Sequence, residues 1–390
     1  MGYLTPYQID KEAWTERLLE SRDRILTGLG RLGAGLAAVF QRELAGTLEV
    51  VNSYYSNRME GNPTRIGDIF SAKEGHFAKS TAERNYQLEH LAHIHTATKM
   101  RAALVVNPAL SPTATDFLKM LHREFYGELP DTMRTAITTS GQTVPIIPGE
   151  LRLARVSIGF HHAVSVEQLG ACMDELANAY TFSGSTGGDK LVAMAAAHHR
   201  FLWIHPFADG NGRVVRLMSE AMAIQSGFSG HGLYSISRGL ARQRKEYDAA
   251  LAGADAPRYN DLDGRGNLSQ KGLLQFCEFF LEVMADQIEF MGSLMDMPKL
   301  QSRFLRLLNV LRAEKKLSGS ESVVLTYLLR LGEIRRGDIQ SIAGVKPRQA
   351  NKIGASLLKA GYVQSDSPKG LLRLKANQEV VRALFPEFYE

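Results

Sequence analysis

The chain has 390 residues, 44% of them apolar and 22% charged, which fits a folded protein of two or three domains and excludes a fibrous or disordered one. Its two cysteines, Cys172 and Cys277, lie in apolar-patterned segments and read as buried thiols in a reducing compartment rather than as a disulfide framework. The net charge of +5 is uneven: residues 291–390 carry 17 Lys and Arg against 9 Asp and Glu, so a basic C-terminal segment, suited to an anionic partner or simply a solubilising surface, follows a mildly acidic body.

The opening stretch, MGYLTPYQIDKEAW, has no basic start followed by an apolar run, and Pro6 stands where a myristoylation site needs Ser or Thr. The most apolar stretch, Leu191–Ile204, is broken by His198-His199-Arg200, so no membrane span is expected and a cytoplasmic location is. Apolar residues at helical spacing predict helices over 9–26 and 36–59, where Gly61 suits the C′ position and Pro63 cannot continue the turn. Helices are also predicted over 82–104 and 113–126. Between Ala136 and His162, Val144, Ile146, Ile147, Val156, Ile158 and Phe160 alternate with Pro and Gly, the best candidate for a strand or hairpin. A helix over 165–180 and a Ser/Gly loop at 183–188 follow. An Ala-rich helix then runs to Ile204, a loop spans 205–211 and another helix covers 212–226. A polar loop covers 252–270, and helices near 271–290 and 298–315 lead to a C-terminal unit. There Val324, Tyr327, Leu328 and Leu331 share a helix face, Ile339 and Ile342 start a short helix, and Gly344 turns the chain. Pro347 opens a third helix that buries Ile353, Leu357 and Leu358 and shows Arg348, Gln349, Asn351 and Lys352 outward. Residues 362–375 read as a two-stranded wing. The unit resembles a winged helix-turn-helix, whose third helix suits DNA phosphates and base edges or, in the plainer reading, a protein partner.

The segment His205-Pro206-Phe207-Ala208-Asp209-Gly210-Asn211-Gly212-Arg213-Val214-Val215-Arg216 joins two helices. Gly210 and Gly212 permit close backbone approach, and free N–H groups at the start of the second helix make an anion site. Arg213 and Arg216 share a helix face and can converge on phosphate oxygens. Asp209 offers a hard oxygen for Mg²⁺, and His205, with an ordinary pKa near 6.5, can accept a proton at neutral pH. Singly these residues read as an ordinary cap or turn; together they compose a phosphoryl-type transfer site.

At these residues the sequence resembles the Fic family, whose motif His-x-Phe-x-Asp/Glu-Gly-Asn-Gly-Arg-x-x-Arg is matched at every fixed position. The resemblance covers roughly residues 50–290. It implies a mainly α fold: a Fic helical core with a short β-hairpin flap, followed here by the winged helix domain. The expected domains are an N-terminal helical region at 1–110, the catalytic core at 111–290, a helical linker at 291–320 and the winged helix at 321–390. The implied activity is transfer of AMP from ATP to a Ser, Thr or Tyr hydroxyl of a target protein. His205 would deprotonate the hydroxyl and Asp209 would hold Mg²⁺. Gly210, Asn211, Gly212 and the loop amides would cradle the α/β-phosphates, while Arg213 and Arg216 address the β/γ-phosphates. Val156, Ser157, Ile158 and Gly159 look like the flap that pairs with a target's backbone. Tyr247 either borders the adenosine pocket or is a core tyrosine. Family members also move UMP, phosphocholine or phosphate, and they often pair, so a homodimer is one expectation.

Upstream, Ser56-Asn57-Arg58-Met59-Glu60-Gly61 is similar to the family's inhibitory motif, which implies that Glu60 pairs with Arg216 and spoils γ-phosphate binding. Ser56 and Glu60, one turn apart, share the face such a strut needs. Two other readings keep the fold: a hydrolase that removes AMP with Glu60 orienting water, and a nucleotide-sensing DNA-binding regulator. The letters Gly28-Leu29-Gly30-Arg31-Leu32-Gly33 match a dinucleotide fingerprint but follow an amphipathic helix rather than a strand. His90, His93 and His95 do not share one helix face and are expected on a solvated or partly buried surface.

Overall fold

The computed structural model describes residues 5–137, 141–154, 157–158, 161–181 and 186–389, mainly in helices. They form two compact units. The first takes in Met1–Leu29, Asn52–Ser229 and Ser235–Gln287, and the second Gly30–Val51, Gly230–Tyr234 and Ile288–Glu390. No helix is long and apolar enough to cross a membrane among the described residues.

The first unit is built on two helices packed against each other, Gly187–Ile204 and Asn211–Gln225. A capping box starts the former: Thr186 Oγ1 accepts from the Asp189 N–H, and the Asp189 carboxylate accepts from the Thr186 N–H at 3.0 Å. The run Ala193–Ala197 is buried throughout, and the small side chains of Ala193, Ala195, Ala196 and Ala197 let neighbouring helices approach closely. Thr81–Val106 and Thr115–Gly127 pack on each other and on Asn211–Gln225, while Val166–Ala179 covers Gly187–Ile204. The N-terminal strap is tied down by backbone acceptors: Pro6 O takes a hydrogen bond from Arg200 Nη2 at 2.7 Å, and Tyr7 O one from Tyr180 Oη at 2.5 Å. Cys172 and Cys277 are both buried and free.

Strand structure falls within the stretch marked by alternating apolar residues. Thr135–Ile137 pairs antiparallel with Thr143–Pro145, with Ala136 opposite Val144, and Ser157–Ile158 pairs with His161–His162. Among the described residues, four α-helices have no counterpart in the sequence reading: Ile66–Lys73, Ile236–Arg242, Arg244–Ala254 and Gln378–Leu384. The first directly follows Gly-Asn-Pro, where the stop signal outweighs an eight-residue pattern. The histidines of Thr81–Val106 also correct an expectation. His90 and His93 are 0% and 1% exposed, and only His95 faces solvent, because this helix is covered on several sides by neighbours.

In the second unit, Ser318 and Glu321 form a capping box that starts Gly319–Leu331. A strand Glu333–Ile334, the short helix Ile339–Ala343, the helix Pro347–Lys359 and strands Val363–Gln364 and Leu372–Leu374 follow. The sheet is antiparallel in the order Glu333–Ile334, Leu372–Leu374, Val363–Gln364. Gly344, at φ +63°, ends the short helix. Val324, Leu325, Leu328 and Leu329 are fully buried, whereas Tyr327 and Leu331 are about half exposed. Two overlapping stripes on Gly319–Leu331 satisfy helical spacing, and packing against the short helix and Leu372–Leu374 selects the one with Leu325 and Leu329. Ile353 and Leu357 are buried, and Leu358 only partly. Glu43 accepts from Gln364 Nε2 at 2.6 Å and from the Ala376 N–H at 3.1 Å, fastening the end of the sheet.

Candidate active site

The site forms where Gly187–Ile204 ends and Asn211–Gln225 begins. His205 caps the first helix in the left-handed conformation, φ 52° and ψ 64°, and its N–H still reaches Phe201 O at 3.0 Å. A non-glycine residue holds that conformation only where its surroundings compel it. They do so here through Arg152, which is 3% exposed. Its Nε donates to His205 O at 2.7 Å, and its own N–H donates to Pro206 O at 3.0 Å.

The next residues are locked from within. Phe207 is buried completely, and its ring stacks on His122 with centroids 4.1 Å apart and planes 9° apart. The Phe207 N–H donates to Asn211 Oδ1 at 3.0 Å, and Asn211 Nδ2 donates back to Phe207 O at 2.8 Å. Asn211 thus spends both ends of its amide on loop shape and leaves its backbone N–H for the helix N-terminus. Gly210 is left-handed at φ +81°, and a Cβ there would stand 2.7 Å from Tyr126 Cε2. Only glycine lets the loop lie so close on that ring.

Asp209 points partly outward, its side chain 47% exposed, and Oδ2 accepts from Tyr126 Oη at 2.5 Å and Arg213 Nη2 at 3.0 Å. Burial works to raise its pKa, but the Arg213 charge and the Tyr126 hydrogen bond prevail and hold it below the ordinary 3.8. Asp209 is therefore ionised at neutral pH. Among the described residues no group of three or more His, Cys, Asp or Glu could hold a metal ion. One ionised carboxylate beside an amide cradle fits Mg²⁺, which binds through few protein oxygens and completes its shell with water and phosphate.

Arg213, 6% exposed, has its guanidinium 4.5 Å from the Phe125 ring centroid and its Nη1 3.7 Å from Glu89 Oε2. Arg216, also 6% exposed, donates from Nε to Ser56 Oγ at 2.9 Å. Its Nη2 donates to Ser56 O at 2.9 Å and to Glu60 Oε1 at 2.6 Å. Glu60 stands in the turn that ends Ala38–Met59. Gly61 at φ +89° closes that turn, with the Asn62 N–H on Asn57 O and the Gly61 N–H on Arg58 O. The Glu60 carboxylate also lies over Gly212: a Cβ there would be 2.2 Å from Oε1. An anionic group thus occupies the cradle at the start of Asn211–Gln225. Burial works to raise the Glu60 pKa, and the charges of Arg216 and Arg213 overcome it, leaving the carboxyl below its ordinary 4.5.

A buried polar row supports this turn. His90 is pushed down to about 3 by burial, so it is neutral. Its Nε2 lies 3.2 Å from Asn62 Oδ1, and its Nδ1 lies 3.2 Å from Ser53 Oγ and 3.3 Å from Asn57 Nδ2. Because Asn62 Oδ1 can only accept, the proton belongs on Nε2. Asn62 Nδ2 in turn donates to Glu89 Oε2 at 3.0 Å.

Tyr247 is a buried core residue within electrostatic reach of Arg216 and Glu60. It is 3% exposed among Phe276 and Phe279, and its hydroxyl lies 2.8 Å from His198 Nε2. Tyr247→Phe should therefore cost about 1–3 kcal/mol of stability by stranding a buried ring nitrogen, read as a lower urea midpoint. Unchanged unfolding would show that the hydroxyl makes no net contribution. Of the flap residues, Ser157 and Ile158 are paired with His161–His162, while Val156 and Gly159 lie outside the described residues. Arg152, Tyr126, Glu89 and His122 were not singled out from sequence. They come from other elements, and no local pattern marks them.

Residues 112–223 match the Fic/DOC family model. The chain contains a Fic/DOC domain. Over 222 residues the chain is 28% identical to a protein adenylyltransferase Fic of Culex quinquefasciatus, covering 55% of this chain and 38% of that protein. It is 27% identical over 216 residues to the protein of the same name from Drosophila grimshawi, covering 55% and 40%. The chain thus spans less than half the length of these curated relatives. A Fic family protein from Desulfovibrio desulfuricans superposes with a TM-score of 0.55 at 17% identity, over 92% of this chain and 96% of that one. A Fic domain containing signaling protein from Bacteroides thetaiotaomicron gives 0.51 at 18% identity, over 71% and 97%. These likenesses carry the Fic fold and extend it well beyond residues 112–223.

Proposed function

We propose that the chain is a self-inhibited protein adenylyltransferase that moves AMP from Mg-ATP onto a Ser, Thr or Tyr hydroxyl of a target protein. The observation that carries this reading is the capture of Arg216 by Glu60 and Ser56 inside a complete Fic motif. In the reaction the target hydroxyl oxygen attacks the α-phosphorus, pyrophosphate leaves, and His205 takes the hydroxyl proton. The strained cap geometry of His205 projects its side chain from a fixed turn rather than from a mobile loop. The N–H groups at the start of Asn211–Gln225 supply donors to phosphate oxygens without reorganisation. Mg²⁺ bound at Asp209 would neutralise and orient those oxygens. Arg213, already aligned by Asp209, Tyr126 and Glu89, offers fixed positive charge beside them. Arg216 does the same only when Glu60 lets go.

The brake is set to resist mild acid. A carboxylate whose folded pKa is depressed contributes stability above its unfolded value and loses it as pH falls through the folded one. Glu60 lies below 4.5, so its ion pair persists throughout the neutral and weakly acidic range. The ratio of self-labelling between Glu60→Gly and wild type should stay constant from about pH 8 to about pH 5. Taking the ratio cancels every pH effect common to both proteins. A wild type that catches up with the variant near pH 5 would mean that protonation opens the brake.

A second function is favoured by the C-terminal unit, which we read as a winged helix that meets DNA. Lys346, Arg348, Asn351 and Lys352 are exposed at the start and along one side of Pro347–Lys359, as phosphate contacts require. Joint replacement of Lys346, Arg348 and Lys352 by Ala should weaken gel-shift binding to the chain's own upstream DNA. It should also lower the salt slope by about one per lost phosphate contact. Equal shifts by both proteins would assign this face to a protein partner instead.

A further inference from the structure

Arg152 is the most heavily used buried cation near the site that the proposed chemistry leaves without a role. Besides Nε on His205 O at 2.7 Å, its Nη2 donates to Val164 O at 2.5 Å and Ile204 O at 3.4 Å, and its Nη1 to Ala154 O at 3.1 Å. Its backbone N–H adds Pro206 O at 3.0 Å. Ile204 and His205 supply the last carbonyls of Gly187–Ile204, which have no partner within the helix and sit at the negative end of its dipole. Ala154 and Val164 bracket the chain that holds the paired strands Ser157–Ile158 and His161–His162. A planar fork of five donors joins these points as no point charge could. Burial works to lower the Arg152 pKa, a cost that a mere space-filling residue would not incur.

We infer that Arg152 is a positioning residue holding the His205 turn and both roots of the paired strands Ser157–Ile158 and His161–His162 in one frame, so that a hydroxyl presented along those strands meets the imidazole. This rests on the transfer reading above for its consequence, but the shared frame itself can be measured without any nucleotide. Arg152→Met keeps the bulk and removes the fork. Hydrogen exchange of the ligand-free chain should then quicken together in two stretches, 161–164 and 203–209, with the rest of Gly187–Ile204 little changed.

In a Glu60→Gly background the same substitution should slow protein labelling by about 10²-fold, the scale on which small misplacements of reacting groups act. The apparent KM for ATP should hold, so that the loss falls on kcat; in Arg152→Ala, which vacates the site, added guanidinium ions should return part of the rate. If Arg152→Met does not fold, Arg152→Lys serves, since one ammonium cannot span the four carbonyls. Exchange that is unchanged, or that quickens in only one of the two stretches, overturns the inference whatever the labelling does. Joint loosening in a chain whose Glu60→Gly parent labels nothing upholds the shared frame and removes the transferase reading instead. A variant that loosens both stretches yet labels at the parent rate overturns the link to catalysis.

Discussion

Glu60→Gly is expected to raise self-labelling with α-labelled ATP by roughly 10- to 100-fold. The size follows from what the substitution removes. Glu60 Oε1 accepts from Arg216 Nη2 at 2.6 Å with both side chains largely withdrawn from water, 30% and 4% exposed. A charge-assisted hydrogen bond of this kind contributes about 1.5–3 kcal/mol net. At about 1.4 kcal/mol per factor of ten, its loss frees Arg216 by one to two orders of magnitude. The same carboxylate also fills the space above Gly212, where a Cβ would meet it at 2.2 Å. Removing it therefore opens the anion cradle as well as the arginine. Ser56 keeps its two contacts to Arg216 in the variant, which tempers the gain. A variant that labels no faster than wild type would mean that Arg216 capture is not the brake.

On the proposed mechanism, His205→Ala is expected to lower the transfer rate by about 10²–10⁴, the usual contribution of a positioned general base. Measured in the Glu60→Gly background, the fall is read against an active parent. Nucleotide affinity should change little, because the donors that would hold phosphates are the amides of Asn211–Gln225 and the arginines on it, not the imidazole. The cap itself is fastened through main-chain groups, His205 O to Arg152 and its N–H to Phe201 O, which alanine retains. Near-parent labelling would take the imidazole out of the mechanism and shift the role of base to solvent or to the target.

Much of this site was legible because it is local. Twelve consecutive residues carry the proposed base, the carboxylate, the glycines and both arginines, and a helix–loop–helix joins them by chain connectivity alone. The pairing of Glu60 with Arg216 was read through a family resemblance, and a helix turn ending at Gly61 is what brings the carboxylate out. What stayed hidden was everything that acts from a distance in sequence. Tyr126 approaches Asp209 from Thr115–Gly127, Glu89 approaches Arg213 from Thr81–Val106, and Arg152 comes from an irregular segment. Nothing in their local pattern separates them from other polar residues, because their role exists only after the helices pack. His90 and His93 were misplaced for the same reason: burial on Thr81–Val106 depends on how many neighbours surround it. In the second unit the buried face of Gly319–Leu331 was half right, since two stripes obey one periodicity and only tertiary contacts choose between them.

The most direct test is the intact mass of Glu60→Gly after incubation with Mg²⁺ and each nucleoside triphosphate in turn. A gain equal to one or more AMP groups with ATP, absent when His205 is also replaced by Ala, is the predicted result. No gain with any nucleotide, or the same gain without the imidazole, would contradict it.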